Sequence, residues 1–189
     1  ATLRLKELVK EDPEYLNAHR YLGIVFLEKE EFGDAISEFS VVVSKESGKF
    51  RNDLVNRCDK SIFGEEAAQF EKETTNEGHL AWAYHDLGMA YLGENRYTEA
   101  EECLLEALKK SEKNIFRNDL GWAYYRWDKP KQAIKQYDIA MENPSEEDTG
   151  HANFFRGLAF IKLGKLVSAY DELEKALAKF QDQINKYQN

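Results

Sequence analysis

The chain has 189 residues, of which 42% are hydrophobic and 32% charged, as is typical of a single folded domain. It is too short for several domains, and the absence of a long apolar run argues against a membrane-spanning segment. The formal charge of −9 argues against nucleic-acid binding, because phosphate recognition needs basic patches.

Helix breakers are few, with 11 glycines and 3 prolines, so a series of long helices is predicted. The sequence also repeats itself about every 33 residues, and each repeat is expected to contain the same arrangement of helices. The residues Phe50–Leu54 recur word for word as Phe116–Leu120. Each copy has a phase point, which is a glycine except in the second copy: Gly23, Val55, Gly88, Gly121 and Gly157. An alanine follows each phase point by twelve residues: Ala35, Ala67, Ala100, Ala133 and Ala169.

Each copy predicts a pair of antiparallel helices. The apolar stripe from Tyr84 to Tyr91 has the i, i+3, i+4, i+7 spacing of an amphipathic helix, and a second stripe runs from Ala100 to Leu108. Small residues at the phase points and at the alanines allow the two backbones to approach closely. Turn signals such as Gly93-Glu94-Asn95 separate the two helices.

In chain order, we predict a half-repeat helix, five repeats and a helical extension, with bounds at 1–12, 16–47, 48–77, 81–112, 114–144, 150–180 and 181–189. The copy at 48–77 is the least regular. We expect its second helix, near Gly64–Thr75, to be frayed or displaced. No glycine or proline follows Gly164, so the last helix is expected to run on and cap the stack.

This spacing resembles the tetratricopeptide (TPR) repeat, which has a period of about 34 residues and an L-G…Y…A…F…A pattern. The resemblance covers residues 16–180 and is clearest at Leu87-Gly88, Tyr91 and Ala100. It implies an all-α fold, a right-handed superhelical solenoid of about five helix pairs between a half-repeat helix and a long C-terminal helix. It also implies a non-catalytic module that binds a protein or peptide in its concave groove.

The stripe of each first helix that faces the groove supplies the candidate contact residues, because stacking buries the opposite stripe. This stripe includes Phe155 and Leu158 in the last copy. The candidate partner-binding residues are Arg20, Asn52, Asp53, Trp82, His85, Asp86, Met89, Asn118, Asp119, Trp122, Tyr125 and Phe154.

Two kinds of side chain dominate this set. The aspartates Asp53, Asp86 and Asp119 form a ladder at a regular spacing, and aromatic residues lie beside it. We hypothesise a partner segment that is basic and apolar, because carboxylates pair with cations and aromatic pockets hold apolar side chains. The alternative is that the aspartates are solvated, or neutralised by bases such as Arg51 and Arg117.

The best-known subclass of the family grips an acidic C-terminal tail with lysine, asparagine and arginine on successive first helices. The equivalent positions here include His85 and Asp86 where cations are needed. We therefore expect no adaptor of that kind.

The sequence contains no catalytic, metal or cofactor motif: it lacks HExxH, a glycine-rich phosphate loop and G-x-S-x-G. His85 and Asp86 could imitate a catalytic pair, but adjacent residues on a helix point about 100° apart. Cys58 and Cys103 are expected to be small core residues rather than a disulfide or a metal site. We predict no enzyme, no cofactor and no metal.

Two other functions stay open. The first is a scaffold that oligomerises through its terminal helices, since the first helix carries the apolar set Leu3, Leu5, Leu8 and Val9. The second is a receptor for a peptide signal. The expected partners are thus a protein, a peptide or another copy of the chain. No signal peptide is found, which favours the cytoplasm, although a chain that begins at Ala1 is consistent with loss of a targeting segment.

Overall fold

The structure is a computed structural model that describes residues 2–45, 76–142 and 148–187. These residues form nine helices: α1 (Thr2–Glu11), α2 (Leu16–Glu28), α3 (Phe32–Ser44), α4 (Asn76–Gly93), α5 (Tyr97–Lys110), α6 (Asn114–Arg126), α7 (Pro130–Glu142), α8 (Asp148–Lys162) and α9 (Leu166–Tyr187). The predicted all-α class is confirmed. The predictions for Asn52, Asp53, Cys58 and the segment Gly64–Thr75 lie outside the described residues.

The helices pack as the pairs α2–α3, α4–α5, α6–α7 and α8–α9. A β-carbon at Gly23 would lie 2.6 Å from the Phe39 ring, and one at Gly121 would lie 2.6 Å from the Tyr137 ring. Gly88 and Gly157 meet Leu104 and Leu173 in the same register. The alanines that follow these glycines are all buried: Ala35, Ala100, Ala133 and Ala169. The close approach predicted from the small residues is therefore present in each pair.

The turn inside each pair contains a residue with positive φ, seven positions after the phase glycine: Glu30 (60°), Asn95 (59°), Asp128 (57°) and Gly164 (68°). The next residue donates its backbone N–H to a carbonyl five residues earlier, as from Glu31 to Phe26 at 2.9 Å. This left-handed residue with its backward hydrogen bond ends the first helix of each pair. Glycine tolerates this conformation best, so the same turn is least strained at Gly164.

We expect Glu30→Gly to raise the free energy of unfolding by about 0.5–1 kcal/mol, because relief of the left-handed strain exceeds the entropy that glycine adds to the unfolded chain. Gly164→Ala, at the equivalent position, is expected to lower it by about 1 kcal/mol. Urea unfolding followed by circular dichroism measures both. A gain with alanine at Gly164 would contradict this account of the turn.

Contacts divide the chain into two compact units, unit 1 (Ala1–Ser111) and unit 2 (Glu112–Asn189). In unit 1, α3 packs directly against α4. This contact brings residues that are far apart in the chain together.

Helix α1 packs against α2 and contributes to the core of unit 1. Leu5 and Leu8 are 0% exposed, whereas Leu3 is 74% exposed. The expectation that the apolar side of α1 needs another neighbour is therefore wrong for Leu5 and Leu8, because α2 already covers them.

In unit 2, α8 packs against α6, α7 and α9. Arg156 on α8 ties the three later helices together, with its guanidinium 2.6 Å from Asp138 of α7 and 2.6 Å from Glu172 of α9. Lys175 provides a second cation for Glu172 at 2.8 Å. Helix α9 continues without a break to Tyr187, so it is the second helix of the last pair extended by further turns.

Candidate functional site

In unit 1, three of the candidate residues form one buried cluster, which we call the Arg20–Asp86 cluster. Arg20 on α2 donates to Oδ2 of Asp86 on α4, from Nε at 3.0 Å and from Nη2 at 2.9 Å. His85 Nδ1 lies 3.0 Å from the other carboxylate oxygen. All three side chains are buried, so the cluster is a structural ion pair between two first helices.

The electrostatics of Asp86 agree with this geometry. Burial works to raise the pKa of Asp86, but the positive charge of Arg20 and the hydrogen bond from His85 outweigh burial and hold that pKa below its ordinary value. Asp86 is therefore charged at neutral pH, and the positive charge of Arg20 balances its negative charge. Of the two interpretations of the aspartate ladder, neutralisation by a base fits Asp86, and the base that the structure places against it is Arg20.

The contact between His85 and Asp86 corrects one argument from the sequence. Neighbouring helix positions diverge at the backbone, but both side chains are long enough to turn toward each other and meet at 3.0 Å. Trp82 packs its ring edge to face with His85, with 5.4 Å between centroids. Trp82 and Met89 are half-buried on the same helix, so among the described candidate residues of unit 1 they are the ones with accessible surface.

In unit 2, four aromatic rings from α6 and α8 form what we call the aromatic platform: Trp122, Tyr125, Phe154 and Phe155. Trp122 stacks on Tyr125 with 5.3 Å between centroids and contacts Phe155 at 4.9 Å. Phe154 meets Phe155 in a T-shaped arrangement at 5.2 Å. Phe154 is 36% exposed. The platform therefore consists of three candidate residues and Phe155. Sequence analysis placed Phe155 on the stripe that faces the groove but did not include it among the candidate partner-binding residues.

One edge of the aromatic platform is basic. Lys162 Nζ lies 4.4 Å from the centre of the Tyr125 ring, and it donates to the Tyr125 carbonyl at 2.9 Å and to Asp128 at 3.1 Å. This lysine shows that the Tyr125 ring can carry a cation on its face. Sequence reasoning missed Lys162, because it lies 37 residues from Tyr125 on a different helix.

Polar groups lie beside the aromatic platform on α6. Asn118, Trp122 and Tyr125 follow the i, i+4, i+7 spacing of one helix face. Asn118 is 8% exposed, and its side-chain oxygen has no hydrogen-bond partner among the residues that the structure describes. Asp119 is half-buried. An unpaired buried acceptor is costly to the folded state.

The described residues offer little for catalysis. Within the ranges that the structure covers, no group of three or more histidine, cysteine or acidic side chains is placed to hold a metal ion. Burial raises the pKa of Cys103 to about 12, with nearby acids adding to the effect, so this thiol is a poor nucleophile. Among the described helices, none has both the length and the apolar character needed to cross a membrane.

Two family models match the chain, and both describe the same family. A family model described as tetratricopeptide repeat matches residues 1–49 and 118–184, and a second model of the same description matches residues 80–114. No curated protein matches the chain. Neither model belongs to an enzyme family.

Solved structures agree with the family models on the fold. The chain resembles MamA, with a TM-score of 0.69 and 19% identity over 96% of this chain and 87% of that chain. It also resembles BtubC (BKLC) from P. vanneervenii, with a TM-score of 0.53 and 16% identity over 96% and 87% of the two chains. A kinesin light chain from Podosopora anserina with TPR-like repeats gives a TM-score of 0.52 and 16% identity over 92% and 98%. The chain belongs to the tetratricopeptide repeat family, whose members are modules for protein–protein interaction and scaffolding.

Proposed function

We propose that the chain is a non-catalytic interaction module whose aromatic platform binds a partner segment with basic and apolar side chains. The observation that carries this proposal is the platform itself, four clustered rings with Phe154 exposed. Exposed aromatic clusters on a protein surface mark interaction sites, and aromatic residues dominate binding energy at interfaces.

The polar groups beside the platform define the chemistry of the partner. Aromatic faces accept apolar side chains and cations alike. The half-buried Asp119 carboxylate suits a lysine or arginine. The formal charge of −9 favours the approach of a basic partner at long range.

The proposed contact set is smaller than the one predicted from the sequence. Trp82 and Met89 remain proposed contacts in unit 1, and Asn52 and Asp53 remain predictions. Arg20, His85 and Asp86 are better explained as structural, because their side chains are buried in one cluster.

An array of twelve-residue peptides that vary in charge and aromatic content tests the proposal, followed by fluorescence anisotropy of labelled hits. We expect basic, apolar peptides to bind. Phe154→Ala and Trp122→Ala should each weaken binding by about tenfold or more, the usual effect of removing an interface anchor. Leu105→Ala is the control, since Leu105 is an apolar residue of α5 that is 46% exposed and lies outside the platform.

A second measurement separates charge from apolar contact. Asp119→Asn should lower the affinity for basic peptides by about fivefold and reduce the salt dependence of their binding. The affinity for neutral peptides should change little. Preferential binding of acidic peptides, or hits that are insensitive to both Phe154→Ala and Trp122→Ala, would contradict the proposed site.

The two alternative functions differ in how well the observations support them. Assembly through both terminal helices has less support, because Leu5 and Leu8 of α1 are buried within unit 1 and only Leu3 is exposed there. A receptor for a peptide signal uses the same surface as the proposed module and differs only in the origin of the segment.

A further inference from the structure

The outer side of α9 carries an apolar strip of Leu166, Tyr170, Leu177 and Ile184. Their spacing of four, seven and seven residues places them on one helix face, and they are 68%, 62%, 68% and 49% exposed. A different face of α9, which includes Ala169 and Ala176, is buried. The strip is thus an apolar face without a cover among the described residues.

In the first helix pair, the residues equivalent to this strip can be identified on α3. Counted from the phase glycines Gly23 and Gly157, the residues of α3 equivalent to Leu166, Tyr170 and Leu177 are Phe32, Ile36 and Val43. Each of the three is apolar and half-buried.

Helix α4, the first helix of the next described pair, is their cover. A β-carbon at Gly93 of α4 would overlap the Phe32 ring. Ile36 and Val43 pack against core clusters to which α4 contributes a stripe of leucine and alanine: Leu80, Ala83, Leu87 and Ala90. An amphipathic helix with such a stripe is therefore what this face of a second helix receives.

Helix α7 gives a second example of the same arrangement. Its residues equivalent to Tyr170 and Leu177 are Ile134 and Met141, which are half-buried. The helix that packs against α7 is α8, again the first helix of the following pair. In both pairs, the apolar residues at these two positions are half-buried, and the first helix of the following described pair packs against the helix that carries them. On α9 the same positions are exposed.

Charge distinguishes between possible occupants of the strip. The open edge of the strip carries Glu174 and Asp171, both exposed, and the Tyr170 hydroxyl donates to Glu174. Two copies of α9 paired antiparallel through their strips would bring Glu174 near its counterpart, because a two-fold axis places like flanks together. Like charges at that distance oppose pairing. A helix with basic residues along its flank complements the edge.

We propose that the α9 strip binds an amphipathic helix of a partner protein, with a leucine and alanine stripe and lysine or arginine along its flank. This surface and this partner differ from the extended basic segment assigned to the aromatic platform. Binding buries Leu166, Tyr170 and Leu177 as α4 buries their equivalents on α3, while the basic flank pairs with Glu174 and Asp171.

A synthetic helix of the length of α4 tests the proposal. The probe carries the leucine and alanine stripe of α4, with lysines on the flanks, and a matched peptide replaces those lysines with glutamates. Binding to the whole chain is followed by fluorescence anisotropy. We expect the lysine peptide to bind about tenfold more tightly than the glutamate peptide at low salt, and the difference to shrink as salt is added.

Paired variants of α9 locate the binding surface. Leu177→Glu should lower the affinity for the lysine peptide by about tenfold or more. Lys179→Glu, on the opposite side of α9, should change that affinity by less than about threefold. Both residues are exposed, so neither substitution disturbs the core. Phe154→Ala should leave the effect of Leu177→Glu on this binding unchanged, which separates failure here from failure of the platform proposal.

Three outcomes would overturn the proposal. One is equal binding of the lysine and glutamate peptides, and another is binding that is insensitive to Leu177→Glu. The third is reversible dimerisation of the chain alone in sedimentation equilibrium that Leu177→Glu abolishes, because a second copy would then be the occupant.

Discussion

Replacing Arg20 with leucine is expected to lower the free energy of unfolding by about 3–5 kcal/mol. The Asp86 carboxylate is 7% exposed and receives two hydrogen bonds from Arg20. Without the guanidinium, a charged carboxylate stays buried with only His85 beside it among the contacts described above. Removing one partner of a buried ion pair is costly for this reason, even where the intact pair adds little. Urea unfolding of the two proteins, followed by circular dichroism, measures the difference.

The double variant Arg20→Leu with Asp86→Leu separates the orphaned charge from lost packing. We expect it to recover most of the loss, because two apolar side chains of similar volume can replace a buried pair at little cost. Arg4→Leu is the surface control. Arg4 pairs with Glu7 at 3.2 Å, with both side chains largely exposed, so its loss should be below about 1 kcal/mol. A double variant as unstable as Arg20→Leu alone would contradict the explanation.

Acid titration of stability provides a further measurement on the same pair. The pKa of Asp86 is lowered in the folded chain, so the unfolded state binds a proton more readily than the folded state in this range. The contribution of Asp86 is thus fully present above its unfolded pKa of about 3.9 and is lost as the pH falls through the folded value. Below about pH 4, the wild-type chain should lose stability more steeply than the double variant.

The Arg20–Asp86 cluster also shows where prediction from the sequence stops. The hairpins were predictable because the spacing of the phase glycines and their alanines reflects close packing within one pair, a contact of short sequence separation. The pairing of Arg20 with Asp86 joins residues 66 positions apart, and it depends on direct packing of α3 against α4. The sequence pattern assigned each residue to the groove from its position on its own first helix, and such a position does not specify a partner on another helix.

The contacts among the aromatic rings follow more directly from helix geometry than the surroundings of Asp86 do, for a physical reason. Trp122 and Tyr125 share one face of α6, which helix geometry determines from the sequence, and large rings on that face must contact the next helix. The tilted contact between the Trp122 and Phe155 rings, with 4.9 Å between centroids, follows from this. A charged residue such as Asp86 can reach several partners through a flexible side chain, so its neighbour depends on details of packing that periodicity does not encode.

Tyr137 is expected to be the most sensitive core residue of unit 2, since Tyr137→Ala should lower the free energy of unfolding by about 3–5 kcal/mol. Its side chain is 0% exposed, and its ring fills the space opposite Gly121. Burial raises the pKa of Tyr137 well above its ordinary value, with Asp119 adding to the effect. The hydroxyl has no hydrogen-bond partner in the part of the chain that the structure describes. Tyr137→Phe should therefore leave stability unchanged or raise it by about 1 kcal/mol.

A double-mutant cycle with Gly121 tests whether the ring and the glycine form one packing unit. Gly121→Ala alone should cost about 1–3 kcal/mol, because its β-carbon would lie 2.6 Å from the Tyr137 ring. In the Tyr137→Ala background the same change should cost little, since the obstructing ring is gone. The expected coupling is about 1–3 kcal/mol, measured by urea unfolding of the four proteins. Additive losses would mean that Gly121 is required for its backbone conformation or by another neighbour, and the spacing between phase glycine and large residue would then need a different physical explanation.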